Sequence, residues 1–155
     1  MHMEDQSIIM NKIFIYYSLS GNGDVVADHL KKKSIDIRKV TTKDKMPKSF
    51  FFRIMMGGYY ALREYKPQLV DFDSDISKYD EILLGTPIWN DRISPAILSV
   101  IDKLDLKDKK ITFIFYSGSG KTNKGYEKVK NLFPKCDVIN LKEPKVNKEE
   151  LNKVP

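Results

Sequence analysis

One cysteine, two histidines and one tryptophan in 155 residues exclude several kinds of chemistry at once. A lone Cys136 cannot close an internal disulfide, which fits a reducing cytoplasm. With His2 and His29 the only histidines, a His- or Cys-based metal centre is not expected. Long apolar runs are missing too. The most aromatic segment, Ser49 to Tyr65, is broken by Arg53 and Gly57-Gly58 and is too short to cross a bilayer. A signal peptide is not expected, since the start carries acids and no uninterrupted apolar region. Met1-His2-Met3 has the look of a cloning remnant, with the native start expected at Met3 or Met10. Residues 1–9 are therefore read as a tag remnant or disordered start, and residues 10–155 as a single domain.

Apolar residues make up 41% of the chain and charged ones 31%, the balance of an ordinary globular domain rather than a disordered one. The net charge of +6 is unevenly placed. Residues 1–106 hold 15 basic and 15 acidic side chains, whereas residues 107–155 hold 12 basic and 6 acidic. No arginine follows Arg92, and the lysines are spread through a strand–helix pattern. Nucleic acid is not expected as a partner. A solvated lysine-rich face is the plain reading; an acidic protein partner or an anionic substrate is the sharper one.

The stretch around which the chain is organised is Tyr17-Ser18-Leu19-Ser20-Gly21-Asn22-Gly23. Lys12 to Tyr17 before it is a nearly continuous apolar run, which predicts a strand buried on both faces. Asp24 to Lys33 after it places Val26, Ala27 and Leu30 at helical spacing. A strand feeding a helix through Ser, Asn and Gly builds an anion site. The glycines let the backbone approach, the hydroxyls donate, and the helix's first amides point at the anion. The plain alternative is a polar turn with an N-capping Ser or Asn. Gly-x-Gly-x-x-Gly fails at Val26, and a Walker A loop would need Lys where Asp24 stands.

Further along, Ser34 to Val40 alternates as an edge strand. Ser49 to Leu62 is apolar nearly all round, either a helical crossover on the sheet or an exposed aromatic patch for a partner, dimer or substrate. Asp71, Asp73 and Asp75 lack the glycine and terminal glutamate of a calcium loop. Tyr79 to Pro87 predicts a buried strand stopped by Pro87, and Ile88 to Ile93 a loop. Ser94-Pro95 opens a helix to about Leu104. Lys110 to Tyr116 is a fourth strand, Ser117 to Lys124 a second Gly/Ser-rich loop, Gly125 to Leu132 a helix, and Asp137 to Leu141 a fifth strand. Lys148 to Val154 starts a last helix. The alternation predicts an α/β fold, a doubly wound five-stranded parallel sheet in the order 2-1-3-4-5. Ligands of such sheets bind outside the carboxyl ends of strands 1, 3 and 4, where all three special loops fall. Gly118-Ser119-Gly120-Lys121-Thr122 imitates the end of a Walker A motif, but Phe115 stands where its first glycine belongs. Trp89, in a loop with no sheet face against it, suits stacking on a planar ring.

Together, Ser18-Leu19-Ser20-Gly21-Asn22, Tyr79-Asp80, Gly85-Thr86-Pro87-Ile88-Trp89, Ser94-Pro95 and Tyr116-Ser117-Gly118 resemble the flavodoxin-like FMN proteins over roughly residues 10–142. The resemblance implies that Ser18, Ser20, Gly21, Asn22 and Gly23 bind the FMN phosphate. Pro87, Ile88, Trp89 and Asn90 would flank the isoalloxazine, with Ser117, Gly118 and Gly120 along its other edge. Thr86 and Tyr116 complete the expected contacts; Tyr116 offers stacking, a hydrogen bond, or only the end of its strand. Three departures from the family pattern stand out. Gly23 replaces a Thr donor. Asn90 and Asp91 stand where a Gly commonly lets a peptide flip toward a reduced flavin, so that stabilisation is expected to be weak. Lys121, Lys124 and Arg92 near the ring would make the final potential less negative. The expected function is electron transfer by bound FMN, with no catalytic side chain. The alternatives are an NAD(P)H-dependent reductase of quinones or similar acceptors, and a non-redox interaction module. The partner is a redox protein or a small acceptor, and the protein a monomer or homodimer.

Overall fold

A computed structural model of the chain describes residues 11–43, 52 and 67–155. Strand β1 spans Lys12–Tyr16, helix α1 Asn22–Lys31 and strand β2 Asp36–Lys39. After the segment at 44–66 come β3 (Glu81–Trp89), β4 (Arg92–Ile93) and α2 (Pro95–Lys103). The chain continues through β5 (Lys110–Ser117), α3 (Asn123–Leu132) and β6 (Asp137–Lys142), then a 3₁₀ helix at Lys148–Lys153. The sheet runs β2-β1-β3-β5-β6, with β4 paired to β3 off this path. All neighbours on the path are parallel and β4 is antiparallel. The α/β architecture matches the expectation, but the sheet has six strands in the order 2-1-3-5-6 plus β4, not five in the order 2-1-3-4-5.

The alternation of side chains along β1 explains why both faces of the sheet are covered. Ile13 and Ile15 enter one core with Ile82, Leu84, Phe113 and Phe115, which α2 covers through Ala96, Ile97 and Val100 and α3 through Val129. Phe14 and Tyr16 enter the other with Leu83, Ile114 and Tyr116, which α1 covers through Val26, Ala27 and Leu30. Residues 82–84 of β3 are fully buried, as a strand between two helical layers requires.

The sixth strand arises where the sequence predicts a loop. β3 does not stop at Pro87: it runs on to Trp89, with Pro87 opposite Tyr116 of β5. Pro87 is tolerated because the β1 ladder has already ended at Tyr16↔Gly85, so on that side no partner asks for its missing N–H. The chain then reverses through Asn90 (φ 50°) and Asp91 (φ 61°) into β4. Positive φ at both central residues is the requirement of a tight two-residue hairpin, and Asn and Asp meet it better than most residues. The predicted final helix is a 3₁₀ helix. Val154 just after it is buried in the α1-side core, where Leu151 packs, and the Glu150 carboxylate accepts the Lys142 amide of β6 at 2.7 Å. The aromatic segment Ser49–Leu62 lies outside the described residues except for Phe52, which is helical and exposed. Among the described residues no helix is long and apolar enough to cross a membrane.

Candidate functional site

Three loops leave the carboxyl ends of the central strands β1, β3 and β5. The first, residues 17–23, turns directly into α1. Gly21 is its N-cap at φ 92°, a conformation that favours glycine, and no side chain of the cap residue bonds the helix. The N-cap residue is Gly21 rather than the Ser or Asn of the plain reading, although one serine further back still takes a first-turn amide. The Ser18 hydroxyl accepts the Gly23 amide at 3.0 Å, and Ser20 Oγ accepts from Asn22 Nδ2 at 3.2 Å. The amides of Ser20, Gly21, Asn22 and Asp24 donate to no acceptor among the described residues. Successive open amides at the positive end of a helix form a concave donor set suited to a phosphate.

The loop rests on two tyrosines. A Cβ at Gly23 would stand 2.6 Å from the Tyr116 hydroxyl and 2.8 Å from both Ser18 Cβ and Tyr16 Cδ2. No side chain fits there, which explains why a Thr donor is missing at Gly23: the space belongs to the support. Tyr116 is 2% exposed and its hydroxyl donates to the Tyr17 carbonyl. Burial, and then the nearby Tyr16 and Asp24, push its phenol well up. Tyr116 is therefore a prop beneath the loop: of the roles open to it, the structure shows a hydrogen bond near the end of its strand. Tyr16 donates to Asp24 Oδ1 at 2.6 Å, and Lys39 pairs with the same oxygen at 2.9 Å. Burial works against the Asp24 charge, but the hydrogen bonds from Tyr16 and Lys39 and the charges of Lys39 and Lys145 hold its carboxyl below the usual range.

The second loop is the β3–β4 hairpin. The expectation for Trp89 needs correcting: it ends β3, is 5% exposed, and sits in the α2-side core edge-on to Tyr17, with ring centroids 6.1 Å apart. It is a wall residue rather than a free loop aromatic, because the strand continues past Pro87. Thr86 is also internal. Its hydroxyl accepts from the Ser94 amide at 3.0 Å and bonds the Ser94 hydroxyl at 3.0 Å, fastening the start of α2. Pro87 is buried, while Ile88 and Asn90 are half-buried at the carboxyl edge.

The third loop, Ser117 to Thr122, closes through Ser117 Oγ, which accepts the Gly120 amide at 3.0 Å. Gly118 is open on the side a Cβ would take, and Gly120, at φ 76°, lies against Lys142. The helix that follows is capped from within. Asp91 of the hairpin accepts from the Thr122 hydroxyl at 2.5 Å and from the amides of Asn123 (2.9 Å) and Lys124 (3.2 Å). Thr122 Oγ1 in turn accepts the Gly125 amide at 3.1 Å. Burial raises the Asp91 carboxyl, but these bonds outweigh it and leave the group below its ordinary value. The hairpin and α3 are thus clamped together at one edge of the sheet.

Two participants escape local reading. Asp91 accepts the first amides of a helix that starts 32 residues later, and Lys145 comes from the turn after β6. Lys145 donates its amide to Asn22 Oδ1 at 3.0 Å and its ammonium to the Ser20 carbonyl at 3.2 Å. The loop at 18–24, open amides, hydroxyls and nearby ammonium together, fits the phosphate end of a mononucleotide. Between the hairpin and the third loop Gly118 is uncrowded, and the Asp91 carboxylate there is already engaged by Thr122, Asn123 and Lys124. Among the described residues no group of three or more His, Cys, Asp or Glu could hold a metal.

The fold and the match to known proteins together give the class: an FMN-binding flavoprotein of flavodoxin-like architecture. The sequence model of the family described as NADPH-dependent FMN reductase matches residues 18–150, and the chain belongs to that family. Among solved structures, a protein of Bacteroides eggerthii classed as a flavoprotein aligns with a TM-score of 0.72 at 16% identity, covering 91% of this chain and 96% of its own. A Lactobacillus acidophilus flavoprotein in complex with FMN aligns at 0.61 and 18% identity, covering 91% of this chain and 98% of its own. At such identities the likeness is one of fold. No curated protein matches the sequence.

Proposed function

We propose that the protein carries electrons through a noncovalently held FMN whose phosphate lies in the loop at Ser18, Ser20, Gly21, Asn22 and Gly23. The observation that carries this reading is the start of α1 at the carboxyl end of β1, where the amides of Ser20, Gly21, Asn22 and Asp24 have no acceptor among the described residues. Pro87, Ile88, Trp89 and Asn90 flank the isoalloxazine on the hairpin side, and Ser117, Gly118 and Gly120 on the other. Thr86 and Tyr116 act behind these contacts. Bound FMN supplies one- and two-electron redox chemistry; the chain's residues hold and orient it and set its electrostatic surroundings. No side chain at this edge is needed as a general acid, base or nucleophile. The single, buried Cys136 suits a reducing cytoplasm, and the acceptor is a redox protein or a small molecule.

A second reading, direct reduction of a small acceptor with NADPH as donor, is favoured by the family's own description. A visible spectrum of the purified protein, taken before and after addition of FMN and washing, tests the shared part. Retained flavin bands support it, and a colourless protein overturns it. Steady-state NADPH oxidation by the loaded protein with a quinone acceptor then separates enzyme from carrier.

A further inference from the structure

We infer that Lys145 is the cation that pairs with the FMN phosphate and makes the loop selective for phosphorylated over unphosphorylated flavin. The inference rests on the placement of the phosphate proposed above. Two lysines lie close to this loop, and they differ in what they already hold. Lys39 is paired with Asp24 at 2.9 Å. Lys145 makes no ion pair among the described residues, although its charge also acts on Asp24; its ammonium donates only to the Ser20 carbonyl, at 3.2 Å. An ammonium has three donors, so two remain for a ligand above the open amides.

The lysine is also held in place. Its own amide is fixed to Asn22 Oδ1 at 3.0 Å, and the turn that carries it is closed by Val146 and Asn147 amides donating to the Glu143 carbonyl at 3.0 and 2.8 Å. Buried Pro144 anchors that turn. The Lys145 stem lies over the cap glycine: a Cβ at Gly21 would stand 3.3 Å from both its Cδ and its Nζ. Gly21 thus leaves room for Lys145 as well as meeting the positive φ. A cation outside any ion pair, set over the open amides of Ser20, Gly21 and Asn22, is placed to meet the phosphate charge. Charge-assisted bonds to an anion are about twice as strong as neutral ones.

The test is a fluorescence titration of the full chain with FMN and with riboflavin, at low and high salt, for wild type, Lys145→Gln and Lys145→Arg. Lys145→Gln is expected to weaken FMN about tenfold or more, leave riboflavin unchanged, and flatten the salt dependence of FMN binding. Lys145→Arg should recover most of the loss. A purely structural role would weaken both flavins alike and leave the salt dependence intact, and that result overturns the inference. So does a Lys145→Gln protein that binds FMN as tightly as wild type. If wild type binds FMN and riboflavin equally, or neither, the phosphate site itself falls and the inference with it.

Discussion

Two helices of this protein begin after a Gly/Ser-rich loop at the carboxyl end of a parallel strand, and they begin in opposite ways. At α1 the cap is Gly21, Ser18 Oγ takes only the Gly23 amide, and the amides of Ser20, Gly21, Asn22 and Asp24 have no acceptor among the described residues. At α3 the cap is Thr122, and the carboxylate of Asp91 already occupies the amides of Asn123 and Lys124. The second loop has the more suggestive sequence, Gly118-Ser119-Gly120-Lys121-Thr122, yet its helix end carries its own anion. Whether a helix start can receive a phosphate is decided by what the rest of the fold has placed there, not by glycine and serine content.

The largest effect expected from breaking this contrast is at Gly23. A methyl there meets Tyr116, Ser18 and Tyr16 at under 3 Å, so Gly23→Ala should destabilise the fold by about 1–3 kcal/mol and abolish FMN binding. Urea unfolding and a flavin titration read both; a stable variant with normal affinity would contradict the packing argument. Next is Asp91→Ala, which removes the acceptor of the first two amides of α3 and should cost about 1–2 kcal/mol. The same clamp has a pH signature. The Asp91 carboxyl lies below its ordinary value in the folded protein, so its stabilisation is present above the usual carboxylate range and is lost as pH falls through the depressed value. The stability gap between wild type and Asp91→Asn should therefore shrink on acidification, and a gap that widens would refute this.

Asp24→Asn should act in two directions. Losing a negative charge from the first turn costs α1 about 0.3–1 kcal/mol, while removing an anion beside the phosphate raises FMN affinity a few-fold. Thermal melts and titrations separate the two, and a loss of affinity would show that Asp24 supports the site rather than opposing it. The smallest effect is expected from Lys121→Gln with Lys124→Gln: a modestly more negative flavin potential by redox titration. An unmoved potential would mean that the α3 end does not act on the flavin.

The strand–loop–helix at 12–31 was legible because its information is local: an apolar run, a turn composition and a helical stripe adjoin in sequence. The α/β class followed from the same local patterns repeated. β4 was not legible, because Pro87 reads as a strand stop until one knows that β1 ends beside Gly85 and leaves the proline unopposed. That misplaced Trp89 into a loop and hid its packing against Tyr17. Tyr116 and Thr86 sit at the right edge of the sheet, but the register that turns them inward is a property of the assembled strands. Lys145, bonded to the loop across more than 120 residues, left no trace in the local pattern. Gly23 was visible as a departure, and only the packed structure shows that Tyr116 occupies the room of a side chain there.

The central claim is that α1, and not α3, receives the phosphate. An amide nitrogen–proton correlation spectrum of labelled protein, recorded with and without FMN, tests it most directly. The account predicts that the resonances of Ser20, Gly21, Asn22 and Asp24 move on adding FMN but much less on adding riboflavin, while Asn123 and Lys124 keep the positions set by Asp91. Movement of Asn123 and Lys124 with a still loop at 20–24 would contradict it.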